Sequence, residues 1–148
     1  DCGYQEFMDS VDALVMGRNT FEKVLTFGDW PYASKPVHVL SSQKALAIPE
    51  SLHDKVFHTN DAPHELLKRL TAEGHKRVYV DGGRTIQSFI RCGLISDFTI
   101  TIIPILLGEG ISLFDKLDKE VPLKLLDSKT FPFGFLQIRY ATLCDTAS

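Results

Sequence analysis

Val78-Tyr-Val-Asp-Gly-Gly-Arg-Thr-Ile-Gln-Ser-Phe-Ile90 is a strand that runs into two glycines and restarts as a helix. A tight turn accounts for one glycine. The second stands at the head of a helix, where N–H groups point outward and a missing Cβ lets another molecule approach the backbone. A plain turn is the other reading of the same pair. Strand, glycine turn and helix in that order make a βα unit, and the rest of the chain is read outward from it.

Upstream, Tyr4, Phe7, Met8 and Val11 recur at spacings of three and four and predict a helix over Tyr4–Ser10. Ala13-Leu-Val-Met16 is a short buried strand. Asn19 or Thr20 can cap the helix that follows, which runs through Leu25. Gly28-Asp-Trp-Pro31 breaks the pattern. Val37–Leu40 and Val56–Thr59 are strands. Pro63 opens a helix with Leu66, Leu67 and Leu70 on one face, ending at Gly74. Thr85–Cys92 is a helix closed by Gly93. Downstream, Phe98–Leu107 reads as one long buried strand, and Leu123–Leu126 and Phe135–Leu143 as two more, joined through Thr130–Gly134 as a hairpin. Short strands with long crossovers predict an α/β domain with a mostly parallel mixed sheet, completed at one edge by a C-terminal antiparallel hairpin.

The 148 residues are one ordinary domain's worth, 44% hydrophobic and 24% charged, in the range of globular proteins. A net charge of -3 gives no electrostatic case for nucleic acid or an anionic membrane. The longest apolar run, Ile100–Leu107, is interrupted by Thr101 and Pro104 and is too short to span a bilayer. Cys2, Cys92 and Cys144 are widely spaced, without a CxxC or zinc spacing, and read as reduced cysteines of a cytoplasmic protein. His38, His53, His58, His64 and His75 lack paired spacing and read as ordinary surface or core residues, so no metal site is expected. No nucleophile elbow or triad spacing is present either.

In an open parallel sheet, ligands gather at the carboxyl ends of the strands. Three such ends carry polar or glycine-rich junctions. Gly17-Arg18-Asn19-Thr20 offers backbone N–H groups at a helix start, a guanidinium and a hydroxyl, a set suited to an anion; a helix cap with an exposed arginine is the alternative. Leu40-Ser41-Ser42-Gln43-Lys44 carries hydroxyls, an amide and an amine that can hold a ribose or ribose phosphate, though alone it reads as a polar loop. Gly82-Gly83-Arg84 is the third, and it is not the GxGxxG fingerprint. Aligned on one edge, the three describe an extended phosphorylated ligand such as a dinucleotide.

Met16-Gly-Arg-Asn-Thr-Phe-Glu22, Val39-Leu-Ser-Ser-Gln43 and Val78-Tyr-Val-Asp-Gly-Gly83, in that order, resemble three segments of the dihydrofolate reductase superfamily. The acid before the glycines, and Pro104-Ile-Leu-Leu-Gly-Glu-Gly-Ile-Ser-Leu-Phe114, are similar to the reductase branch of bacterial riboflavin biosynthesis, the RibD C-terminal domain-like proteins. The resemblance covers about Tyr4 to Leu143. It implies a three-layer α/β/α fold and a single domain over residues 1–148. It also implies NADPH as cofactor, held by Gly17, Arg18, Asn19, Thr20, Leu40, Ser41, Ser42, Gln43, Gly82, Gly83, Arg84, Thr85 and Ile86. Arg18 and Ser42 would face the 2′-phosphate, and Gly82 the nicotinamide. The implied activity is hydride transfer to a pyrimidine- or pterin-like or ribosylamino substrate, as in 5-amino-6-(5-phosphoribosylamino)uracil reductase. Such relatives are often homodimers.

Family members open with a central strand ahead of the helix at Tyr4, so some tens of residues are expected upstream of Asp1. Counting back from Gly17 places Asp1 near the family's proton-donating carboxylate, and Asp81, at a buried strand end, is the second candidate for catalysis. Pro104, Leu107 and Gly108 are candidates for substrate contact. A true dihydrofolate reductase, or a nucleotide-binding protein of this fold without the chemistry, are the rival readings; Phe21 follows Thr20 where dihydrofolate reductases carry tryptophan.

Overall fold

A computed structural model describes residues 3–43, 45–114 and 116–143. The chain divides into two compact units, Asp1–Ser88 and Phe89–Ser148.

The first unit is built on a four-stranded parallel sheet. Its strands are β1 (Ala13–Gly17), β2 (Val37–Leu40), β3 (Val56–Thr59) and β4 (Val78–Asp81), in the order β3-β2-β1-β4. β1 is interior, and Ala13, Leu14, Val15 and Met16 are all wholly buried. That is why its sequence is a continuous apolar run rather than an alternating one. The register sets Gly17 beside Leu40, Leu40 beside Thr59, and Met16 beside Asp81. The carboxyl ends of all four strands therefore form a single rim.

Four helices accompany these strands: α1 (Tyr4–Asp9), α2 (Arg18–Leu25), α3 (Pro63–Ala72) and α4 (Gly83–Arg91), the last running past the division between the units. Phe21 and Val24 of α2 join Leu14, Met16, Val37 and Val39 in the core on one sheet face. Leu66 and Leu70, a turn apart on α3, are wholly buried. Each is worth about 1.5–3 kcal/mol relative to exposure. α3 carries its proline at the first position and ends in Gly74 at φ 95, with the His75 N–H bonded to the Leu70 carbonyl.

Two helix starts differ from expectation. α2 begins at Arg18, with Gly17 as its N-cap and no side-chain cap bond, so neither Asn19 nor Thr20 caps it. α4 begins at Gly83 rather than Thr85. β1 passes directly into α2, and β4 into α4 through Gly82 alone, which leaves the threonine inside the first turn of each helix.

The second unit is a three-stranded antiparallel sheet of β5 (Asp97–Ile102), β6 (Leu123–Thr130) and β7 (Leu136–Thr142), ordered β5-β7-β6. The expected hairpin is present, closed by Gly134 at φ 93 with the Phe131 N–H bonded to the Phe135 carbonyl. Its strands pair with β5 in their own sheet rather than extending the ladder of the parallel one. The long buried strand expected over Phe98–Leu107 is corrected. β5 stops at Ile102, opposite Leu136, and Ile103–Leu107 is exposed and outside any ladder. Pro104 has no N–H to donate, which disfavours continuing the ladder through it.

Candidate functional site

The rim of the parallel sheet gathers the junctions expected of it. β1 and β4 are neighbours, and each runs through glycine into a helix whose first turn carries a threonine. The two turns interlock. A Cβ built on Gly17 would stand 2.8 Å from Thr85 Oγ1, and one built on Gly82 would stand 2.5 Å from Thr20 Oγ1. Each threonine thus fills the space that the other strand's glycine leaves. Gly82 is further bound to glycine by its φ of 96.

Gly83 is different. Among the described residues, nothing beyond its own chain neighbours and helix backbone lies within 4 Å of a Cβ placed there, and its φ is not in the left-handed region. Neither packing nor backbone conformation calls for glycine. The first backbone bond of α4 runs from the Ile86 N–H to the Gly82 carbonyl, so the N–H groups of Gly83, Arg84 and Thr85 precede the helical ladder. The backbone here is open to a close-lying anion, which is the space a diphosphate needs.

Beside it lies a cleft of about 270 Å³, lined by Leu40, Ser41, Ser42, Asn60, Asp61, Pro63, Arg84, Thr85 and Ser88. Ser41 is anchored: its N–H donates to the Thr59 carbonyl, its carbonyl meets His58 Nε2 at 3.2 Å, and its Oγ accepts the Gln43 N–H. Ser42 and Gln43 are exposed. Arg18 is engaged within the protein. Its Nε donates to Glu22 Oε1 at 2.9 Å and its Nη1 to the Ala45 carbonyl at 2.8 Å, tying α2 to the segment after β2. Asn19 is exposed, and Thr85 is buried.

Asp81 ends β4 half-buried, and its Oδ1 accepts the Gly82 N–H at 2.8 Å. Burial pushes its pKa up, against the lowering effect of that N–H. Tyr79, two residues earlier, shares its strand face. The Tyr79 phenol is pushed up by burial and then by the Asp81 charge, as is that of Tyr4; for the same reasons Tyr32 is pushed up to about 12. Phe7 of α1 packs edge-on to Tyr79 with centroids 4.9 Å apart. The Asp81 charge is thus felt by three phenols, of which Tyr32 is buried, Tyr79 half-buried and Tyr4 exposed.

Sequence reasoning missed several of these residues. Asn60, Asp61, Pro63 and Ser88 line the cleft, and the tyrosines surround Asp81. The signal for the first group was available: Thr59-Asn60-Asp61 closes the fourth strand of the rim just ahead of a helix. Asp1, Lys44, Cys2 and Cys144 lie outside the described residues, and Cys92 is exposed. Pro104, Leu107 and Gly108 belong to the second unit, in the exposed segment after β5, where Pro104 packs against the Gly134 turn. Among the described residues, no helix is long and apolar enough to cross a membrane, and no three His, Cys, Asp or Glu side chains come together as metal ligands.

A parallel rim with paired glycine turns and an adjoining polar cleft defines an α/β protein of the open-sheet kind. Residues 4–136 match the RibD C-terminal domain family, and the chain belongs to that family. It is 35% identical over 135 residues to YwjB of Bacillus subtilis (strain 168), an uncharacterized protein, covering 88% of this chain and 74% of that one. A crystal structure of a proposed riboflavin biosynthesis protein from Shewanella sp. PV-4 superposes with a TM-score of 0.89 at 39% identity, over 97% of this chain and 81% of that one. RibD of Acinetobacter baumannii shares the fold at a TM-score of 0.72 and 17% identity, over 94% of this chain and 49% of that one.

Proposed function

We propose that the protein is an NADPH-dependent reductase that transfers a hydride to a pyrimidine- or pterin-like or ribosylamino substrate. One observation carries this reading: Gly83 stands at a helix start with open space above it and no internal reason to be glycine. The diphosphate would lie against Gly83, Arg84 and Thr85, with the adenosine end in the cleft formed by Leu40, Ser41, Ser42 and Ser88. When bound, NADPH supplies the hydride. Ser42 and Gln43, exposed beside the cleft, are placed to meet a ribose phosphate, and Arg18 holds that loop to α2 through the Ala45 carbonyl.

Asp81 is the proton-handling group of this reading. Burial keeps its carboxyl protonated to higher pH than a solvated acid. The Gly82 N–H fixes the orientation of the carboxyl oxygen.

The test is binding of NADPH and NADH to the full chain by calorimetry and thermal melting, alongside Gly83→Val. The wild type should bind NADPH more tightly than NADH, and the variant should lose binding while melting at nearly the same temperature. No response to either dinucleotide would overturn the reading.

The protein is further proposed to act as a homodimer through its second unit. Leu106, Leu107 and Ile111 are 99%, 77% and 101% exposed, within one apolar stretch after β5. Monomers rarely leave contiguous apolar surface beyond a few hundred Å² uncovered.

A further inference from the structure

The cleft contains one acid, and its position bears on which dinucleotide the protein takes. Asp61 lines the same cleft as Ser41, Ser42 and Arg84. Its Oδ2 lies 2.8 Å from Arg69 Nη1 on α3, and its N–H donates to Thr59 Oγ1, so the residue is held from two sides. The side chain is still 37% exposed, and its charge is felt by anything that enters. Among the described residues, one lining cation, Arg84, stands against it. Arg18 is already spanned between Glu22 and the Ala45 carbonyl. Among the described residues, the lining thus sets one acid against one cation.

We propose that Asp61 is a specificity-determining residue: its carboxylate, partly masked by Arg69, restrains binding of the carrier that bears a ribose phosphate. This rests on the reading of the cleft as the adenosine end of a dinucleotide site. A cleft of this volume is only about 8 Å across, and unit charges at that separation interact by roughly two- to thirty-fold in affinity between watery and protein-like surroundings. Arg69 offsets part of that repulsion. A ribose without the phosphate, carrying a neutral hydroxyl, is indifferent to the charge.

The test uses fragments that occupy this end alone. Adenosine 2′,5′-bisphosphate and 5′-AMP are titrated against the full chain by calorimetry, with thermal melting as a check on folding. Asp61→Asn should tighten the bisphosphate about three- to ten-fold and change 5′-AMP by less than about twofold. Arg69→Gln should do the opposite, weakening the bisphosphate by unmasking the carboxylate. If both nucleotides bind and their affinity ratio is unchanged in Asp61→Asn, the proposal falls while the dinucleotide reading stands. If neither binds the wild type, the dinucleotide reading falls and takes this inference with it.

Discussion

Thr85 Oγ1 occupies the space in front of Gly17, 2.8 Å from where a Cβ would be, and Thr20 does the same for Gly82 on the neighbouring strand. Gly17→Ala is compatible with its backbone, since φ is −83. Its cost comes from displacing the threonine. Gly17→Ala should destabilise by about 1 kcal/mol, with the loss largely absent in the Thr85→Ala background, a coupling read from a double-mutant cycle of chemical denaturation. Additive losses would show that the threonine is not the obstacle.

Gly82 and Gly83 should separate folding from binding. Gly82→Ala combines a left-handed backbone with the Thr20 contact and should cost about 2–3 kcal/mol. Gly83→Ala meets neither problem and should be neutral or stabilising by up to about 1 kcal/mol, as alanine is in a helix. Its effect should appear instead as weaker NADPH binding. Stability and calorimetry on the two variants give the comparison.

Asp81→Asn should lower turnover and raise the melting temperature together. The folded carboxyl has its pKa raised by burial, so the unfolded state loses its proton more readily and ionisation favours unfolding. That destabilisation sets in above the ordinary pKa of 3.8 and persists at neutral pH. The variant keeps an oxygen for the Gly82 N–H. Its advantage in melting temperature, about 2–4 °C per kcal/mol for a chain of this size, should shrink as pH falls toward that value.

His38 provides a second pH dependence, of the same origin and opposite sign. It is buried on β2, stacked on Phe57, with neither ring nitrogen hydrogen-bonded among the described residues. Burial lowers its pKa, helped by Arg69 and His75 and opposed by Glu73. The unfolded state therefore takes up a proton first, and stability is lost as pH falls below 6.5. His38→Leu should melt higher, with a margin that widens below that pH; parallel curves would contradict the assignment.

Sedimentation at micromolar concentration should give twice the chain mass, and Leu106→Asp with Ile111→Asp should return a monomer. A wild-type monomer would remove the homodimer proposal.

The rim was legible in the sequence because each of its junctions is local. Met16-Gly17 and Asp81-Gly82 mark strand ends by composition alone, and register follows once the strands are parallel. The threonine contacts were not legible. Thr20 and Thr85 sit where a cap or a ligand contact is the nearest explanation, and only the adjacency of β1 with β4 shows each facing the other's glycine. Ile103–Leu107 misled for a different reason: its composition is that of a strand, while the missing N–H of Pro104 disfavours pairing. Asp61 was passed over because an acid after a strand looks like a turn residue until α3 brings Arg69 to it.

The paired threonines have a mechanical consequence. With each threonine hydroxyl seated where the opposite strand's Cβ would be, a shift of either helix start along its strand meets the other, like two meshed gear teeth.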